Sequence, residues 1–229
     1  MISKILFAAL VITTFSCSTM KIAVKKEFWS NKNTKIGVAI ATHRKGGAHR
    51  EGSEGLLDMA INSAATSGID KHLSEIELDE FYSIRQIFAD ELKKVGFDAI
   101  VIDEKIDLEK FPRSKVKGKE IFEKDLTELA QKNNVEILIL FSITKHGTLR
   151  SYWGFIPTGT PRGLFQATGQ MIDLGTNNIL WYREMEEKES TQPVSGEWDQ
   201  DPDFPNVTKA VNIAMKKAKS LLEKDFFKQ

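Results

Sequence analysis

Cysteine is almost missing: Cys17 is the single one in 229 residues. An intramolecular disulfide is therefore excluded, and so is a metal cluster built on cysteine. An excess of charge of either sign is also lacking, with 32 Lys and Arg against 32 Asp and Glu. No global field draws the chain to nucleic acid, and no nucleic-acid partner is expected. Neither a Walker-type phosphate loop nor a nucleophile elbow occurs, which weighs against nucleotide binding and serine hydrolysis. Internal repeats and low-complexity blocks are missing too. The amino-terminal apolar run, Ile5 to Ile12, falls well short of the length that crosses about 30 Å of hydrocarbon.

That run follows Lys4 and precedes Thr13-Thr14-Phe15-Ser16-Cys17, the arrangement of a signal-peptide hydrophobic region and its cleavage site. Thr14 to Cys17 resembles the lipobox of bacterial lipoproteins, which implies cleavage before Cys17 and acylation of it, and Ser18 in the next position implies the outer membrane. An ordinary secretory signal is the alternative. Residues 1–16 are read as the signal peptide, 17–34 as a tether and 35–229 as one globular domain. With 41 % apolar and 28 % charged residues, the chain suffices for one full core.

The centre of that domain is read between Val135 and Glu186. Val135 to Ile143 is almost uninterrupted apolar and β-branched, the pattern of a strand covered on both faces. From Leu164 to Asp173, Gln166, Thr168 and Gln170 alternate with Phe165, Ala167, Gly169 and Met171, as in a strand with one wet face. Asp173 to Asn178 supplies turn chemistry, and Ile179 to Glu186 returns with Ile179, Trp181, Arg183 and Met185 on one side.

Ahead of this meander, Lys35 to Thr42 reads as a strand with small residues Gly37, Ala39 and Ala41 on one face. The charged, Gly-rich stretch His43 to Gly55 reads as a mobile loop. Helices are predicted over Leu56 to Ala65, Ile69 to Ile76, a long one beginning at Asp79 and ending at Gly96, and Ile121 to Lys132, with a strand over Phe97 to Ile102. Asn206 reads as the cap of a last helix, Val207 to Phe226. The expected fold is α/β (α+β), a single domain with a mixed sheet of about five strands in the order β-α-β-α-β-β-β-α, flanked by helices.

Leu180-Trp181 after Asp173-Leu-Gly-Thr176, followed by a closing amphipathic helix, resembles a group of envelope proteins across residues 35 to 226. These are the curli-secretion lipoproteins, the penicillin-binding-protein activator lipoproteins and the amino-terminal domain of the Tol-system translocation protein. The resemblance implies a mixed sheet flanked by helices that acts by binding or assembling. The long insertion from Thr42 to Leu78 departs from that pattern. No pair of long alternating segments is present, so a curli-type pore is not expected.

His43, His49, Glu51 and Glu54 share one loop, but their spacing matches no helical metal-ligand pair, and no metal or other cofactor is expected. Ser151, His146 and Asp173 are the residue types of a hydrolytic triad without a motif that joins them. Asp199, Asp201 and Asp203 read as an acidic surface. The segment Arg150 to Arg162 differs from these. There Arg150, Tyr152, Trp153, Phe155, Ile156 and Arg162 gather where the chain turns, stiffened by Pro157 and Pro161, and aromatic and Arg side chains dominate binding hot spots. Equally, its aromatics could fold back as core. The expectation is a non-enzymatic outer-membrane lipoprotein, lipid-anchored on the periplasmic side, that binds or helps assemble an envelope protein complex. A hydrolase of envelope material and a structural subunit of a secretion or surface assembly are the alternatives. The oligomeric state is left open.

Overall fold

A computed structural model describes residues 21–53, 67–154 and 156–228. The fold is one mixed α/β domain on a nine-stranded sheet. The strands are β1 (Lys21–Ile22), β2 (Lys35–Ile40), β3 (Gly47–Ser53), β4 (Asp98–Val101), β5 (Ile137–Trp153), β6 (Ile156–Pro157), β7 (Arg162–Asp173), β8 (Ile179–Glu184) and β9 (Thr191–Pro193). The main path runs β1-β8-β7-β5-β2-β4. β2 lies parallel to both β4 and β5, and the rest of the path is antiparallel. Strand-helix-strand connections and then a meander give this mixture, as the order of elements implied. The additional strands β1, β3, β6 and β9 raise the total above the expected five.

Helices α1 (Lys26–Ser30), α2 (Ser67–Glu75), α3 (Asp79–Tyr82), α4 (Ile84–Lys94), α5 (Thr127–Asn133), α6 (Glu187–Ser190) and α7 (Pro205–Phe227) surround the sheet. On one face Phe81, Phe88 and Leu92 of α3 and α4, with Ala214, Ala218, Leu222 and Phe226 of α7, bury Val38, Ile139, Phe141, Phe165 and Trp181. On the other, Ile106, Phe122, Leu126 and Leu129 cover Ala39, Ala41, Leu138, Leu140 and Ile172. β5 is thus covered on both faces over its first half, which is why that stretch carries no alternation. The small residues of β2 allow the close approach on the second face: a side chain at Gly37 would fall 2.7 Å from Ile102 Cδ1.

Several expectations are corrected. The helix beginning at Asp79 is two helices, broken at Ser83, and its preceding cap residue is Leu78. The helix placed over 121–132 begins only at Thr127, where Asp125 Oδ1 accepts the Thr127 amide at 3.0 Å. Phe204 precedes α7, and the Asn206 amide donates instead to Glu197 O at 2.8 Å. The supposed wet face of β7 is covered, with Thr168 and Gln170 each 7 % exposed. A bulge between Met171 and Ile172 puts Ile179 and Trp181 in opposite cores, although the alternation had placed them on one side. Within the segment read as a tether, the described part from Lys21 packs on the domain. Its Phe28 stacks on Phe97 with ring centroids 4.8 Å apart, and Trp29 meets Phe226 edge-on at 5.6 Å. The helix expected over 56–65 lies outside the described residues.

Candidate functional site

β5 is the longest strand, 17 residues, and it changes neighbours along its length. β2 pairs with it from Ile137 to Phe141, and β3 takes over the same edge from Gly147 to Trp153. Its opposite edge is held by β7 from Ile137 to Leu149, with an irregularity between Ile143 and Lys145. The stretch 47–53, expected to be mobile, is therefore a paired strand. Glycine permits this docking: Gly147 has φ +121°, and a Cβ there would fall 2.1 Å from Gly47 O. Arg150 to Trp153, expected in a loop, continue β5. The chain then turns back at once, with Tyr152 opposite Pro157 and Trp153 opposite Ile156.

At this hairpin end the six residues singled out from the sequence divide by task. Arg150 Nε donates to Gly159 O at 2.7 Å, and its guanidinium lies 4.6 Å from the centre of the Trp198 ring. Arg162 donates to Glu51 Oε2 at 3.0 Å and Glu187 Oε1 at 3.1 Å, linking β3 to α6. Half-buried Tyr152 lies between the Arg50 and Arg150 guanidiniums, 4.9 and 5.9 Å from its ring centre. Both arginines and the tyrosine are thus spent on holding the hairpin. Trp153, 74 % exposed, and Ile156, 47 % exposed, face outward as a cross-strand pair. Phe155 lies outside the described residues.

The other candidates are dispersed. Ser151 donates to Glu51 Oε2 at 3.1 Å, whereas Asp173 sits opposite Ile137 at the far end of the ladder, accepting the Gly175 and Thr176 amides at 2.9 and 3.0 Å. At about 3.3 Å per residue, Asp173 and His146 are separated by about 30 Å, so they form no triad. Among the described residues, no three His, Cys, Asp or Glu side chains are grouped to hold a metal ion. Glu54 lies outside them. An open groove of about 570 Å³ between α2 and α7 is lined by Glu75, Glu77, Asp79 and Glu80 on one side and by Thr208, Asn212 and Lys216 on the other.

Sequence reasoning missed a histidine network at the base of β3, because its members are far apart in the chain. The Arg44 carbonyl accepts His43 Nδ1–H at 2.8 Å and His146 Nε2–H at 3.2 Å. With Nδ1 donating, His43 Nε2 accepts the Tyr82 hydroxyl at 2.6 Å, and that hydroxyl accepts Lys105 Nζ at 2.9 Å. His49 Nε2 donates to His146 O at 3.1 Å. His146 is 4 % exposed and its Nδ1 is a buried acceptor with no partner. Burial pushes the His49 and His146 imidazoles below their ordinary range; at His49 Lys145 adds to this, and at His146 the neighbouring histidines do. Their donor bonds to the His146 and Arg44 carbonyls, which act in the opposite sense to burial, secure the 42–49 segment to β5.

No protein-family model matches the chain, and no curated protein matches it in sequence. Among solved structures it is similar to protein XCC0632 from Xanthomonas campestris, at 10 % identity over 90 % of each chain and a TM-score of 0.41. It is also similar to lipoprotein GNA1162 from Neisseria meningitidis, at 12 % identity over 66 % of this chain and 80 % of that one, TM-score 0.29. A third is the PelC dodecamer from Paraburkholderia phytofirmans, at 12 % identity over 87 % and 95 % of the two chains, TM-score 0.29. At this level of similarity they assign the chain neither family nor activity.

Proposed function

We propose that the protein is a non-enzymatic lipoprotein of the outer membrane, acylated at Cys17 and facing the periplasm, whose hairpin end captures a protein of the envelope. One observation carries this reading: Trp153 and Ile156 stand exposed side by side on a hairpin whose neighbouring charged groups are already engaged in bracing it. An apolar pair held rigid before binding loses little conformational freedom on capture, and a large aromatic supplies most of the contact energy at such sites. No helix among the described residues is long and apolar enough to cross a membrane. In this reading attachment falls to the lipid on Cys17, where each buried methylene contributes about 0.8 kcal/mol.

The test places a photo-crosslinking amino acid at Trp153 of the membrane-bound protein. A discrete adduct that disappears in the Ile156→Ala background supports capture by this end. Trp153→Ala should leave the thermal midpoint within about 2 °C of the parent, because surface substitutions usually change stability by under about 0.5 kcal/mol. Unfolding of that variant would show instead that the tryptophan is core.

A further inference from the structure

The described chain starts in β1, where Lys21 pairs with Arg183, Arg183 with Gly169, and Gly169 with Phe141. Trp153 lies twelve residues farther along β5, about 40 Å at about 3.3 Å per residue. Cys17 precedes Lys21 by four residues, a span of at most about 14 Å when fully extended. If Cys17 is acylated, as the proposed function holds, the β1 edge cannot stand far from the bilayer.

That edge also gathers positive charge in a chain with no net charge, as exposed Arg113, Lys115, Lys117 and Lys119 do elsewhere. Lys21, Lys224 and Lys228, all exposed, border a shallow groove with Leu221 and Arg183, and exposed Lys25 and Lys26 follow at the start of α1. Two acids on this side are committed: Asp225 holds Lys21 at 2.5 Å and Arg183 at 3.5 Å, and Glu189 holds Arg183 at 2.6 Å, while half-buried Glu223 lies next to Lys224. Among the described residues, Lys25, Lys26, Lys224 and Lys228 take part in no ion pair; Glu27 is the exposed acid beside them. At the other end of α7, Glu197, Asp199, Asp201 and Asp203 lead into the helix, about 33 Å away at about 1.5 Å per residue. The helix dipole accounts for Lys224 and Lys228 at its end. It does not account for Lys21, Lys25 and Lys26, which belong to other elements.

We infer that the lysine-bearing end formed by β1, the start of α1 and the end of α7 rests on the bilayer that holds Cys17 and binds anionic phospholipid headgroups there. Each lysine at a negatively charged lipid surface adds to the attraction, and the field fades within a Debye length. The hairpin end is thereby carried away from the lipid, toward whatever it captures.

The acylated full-length protein, reconstituted in vesicles of phosphatidylcholine with or without phosphatidylglycerol, tests this. Because the lipid occupies the Cys17 sulfur, Lys228→Cys or Trp153→Cys supplies the free thiol for a fluorophore, and nitroxide-bearing headgroups serve as quencher. Several-fold stronger quenching at position 228 than at 153, dependent on phosphatidylglycerol, is the expected result. It should weaken when salt is raised to shrink the Debye length from about 10 Å to about 3 Å, and in a Lys21→Glu/Lys224→Glu variant. Equal quenching at both positions, stronger quenching at 153, or indifference to phosphatidylglycerol would overturn the inference while leaving acylation intact. Mass spectrometry of the same sample separates the two, since an unmodified Cys17 would remove the anchored reading itself.

Discussion

Gly169 has no side chain because Trp181 occupies the place where one would go: a Cβ at Gly169 would lie 2.3 Å from Trp181 Cη2 and 2.7 Å from Cζ3. The tryptophan is fully buried, and its Nε1 donates to Asp225 Oδ1 at 3.0 Å. Gly169→Ala should therefore destabilise the fold by about 1–3 kcal/mol through overpacking. Trp181→Ala should cost about 3–5 kcal/mol through the cavity it leaves, together with the lost hydrogen bond to Asp225. In the double variant the alanine methyl grows into the space vacated, so urea titrations should give less than the sum of the two single losses.

The upper half of β5 depends on glycine for its partner. Gly147→Ala would force a left-handed backbone on a residue with a Cβ and drive that atom into Gly47 O. β2 pairs with β5 only from Ile137 to Phe141, away from this position. Hydrogen exchange should speed up across residues 47–53 while amides of β2 and of β5 from 137 to 141 keep their protection. Uniform loss of protection would show that the two halves unfold as one.

Arg162→Met removes the group that holds Glu51 of β3 and Glu187 of α6 together. The side chain is 32 % exposed, so solvent screening limits the global loss to about 1 kcal/mol or less. Its signature should be local: faster exchange in β3 and at the start of α6, with a small change in the denaturation midpoint.

Stability should fall with acid earlier than carboxylates alone would cause. His49 and His146 have folded-state pKa values lowered by burial, from an ordinary 6.5. Below that value the unfolded chain takes up protons that the folded protein refuses, so stability present above about pH 6.5 is lost as pH falls toward the folded-state values. Each such proton contributes a slope of about 1.4 kcal/mol per pH unit. His146→Gln removes one of them, and its thermal midpoint should drop less steeply between pH 7 and 5 than that of the parent.

The sequence made visible what local chemistry dictates. The run of β-branched residues at Val135 announced the doubly covered strand, and the Asp173 turn and the stripe of α7 lie where their residues point. Less legible was anything decided by partners remote in the chain. β3 carries Gly, His, Arg and Glu, the composition of a loop, and becomes a strand only because β5 extends beyond β2 and offers a free edge. Ile179 and Trp181 share a side by alternation, and one bulge separates them. At the hairpin end the residue types were evident, yet their division into bracing arginines and an exposed apolar pair depended on Glu51, Glu187 and the Gly159 carbonyl.

The packing of Phe28 and Trp29 on Phe97 and Phe226 has a mechanical meaning. A pull entering at Lys21 meets a two-residue ladder and then this aromatic knot, which fastens the first helix to the last. Tension is absorbed there, on the side of the sheet that ends in β1. The paired tips of β5 and β6 lie outside that load path, so their shape is insulated from how firmly the chain is held.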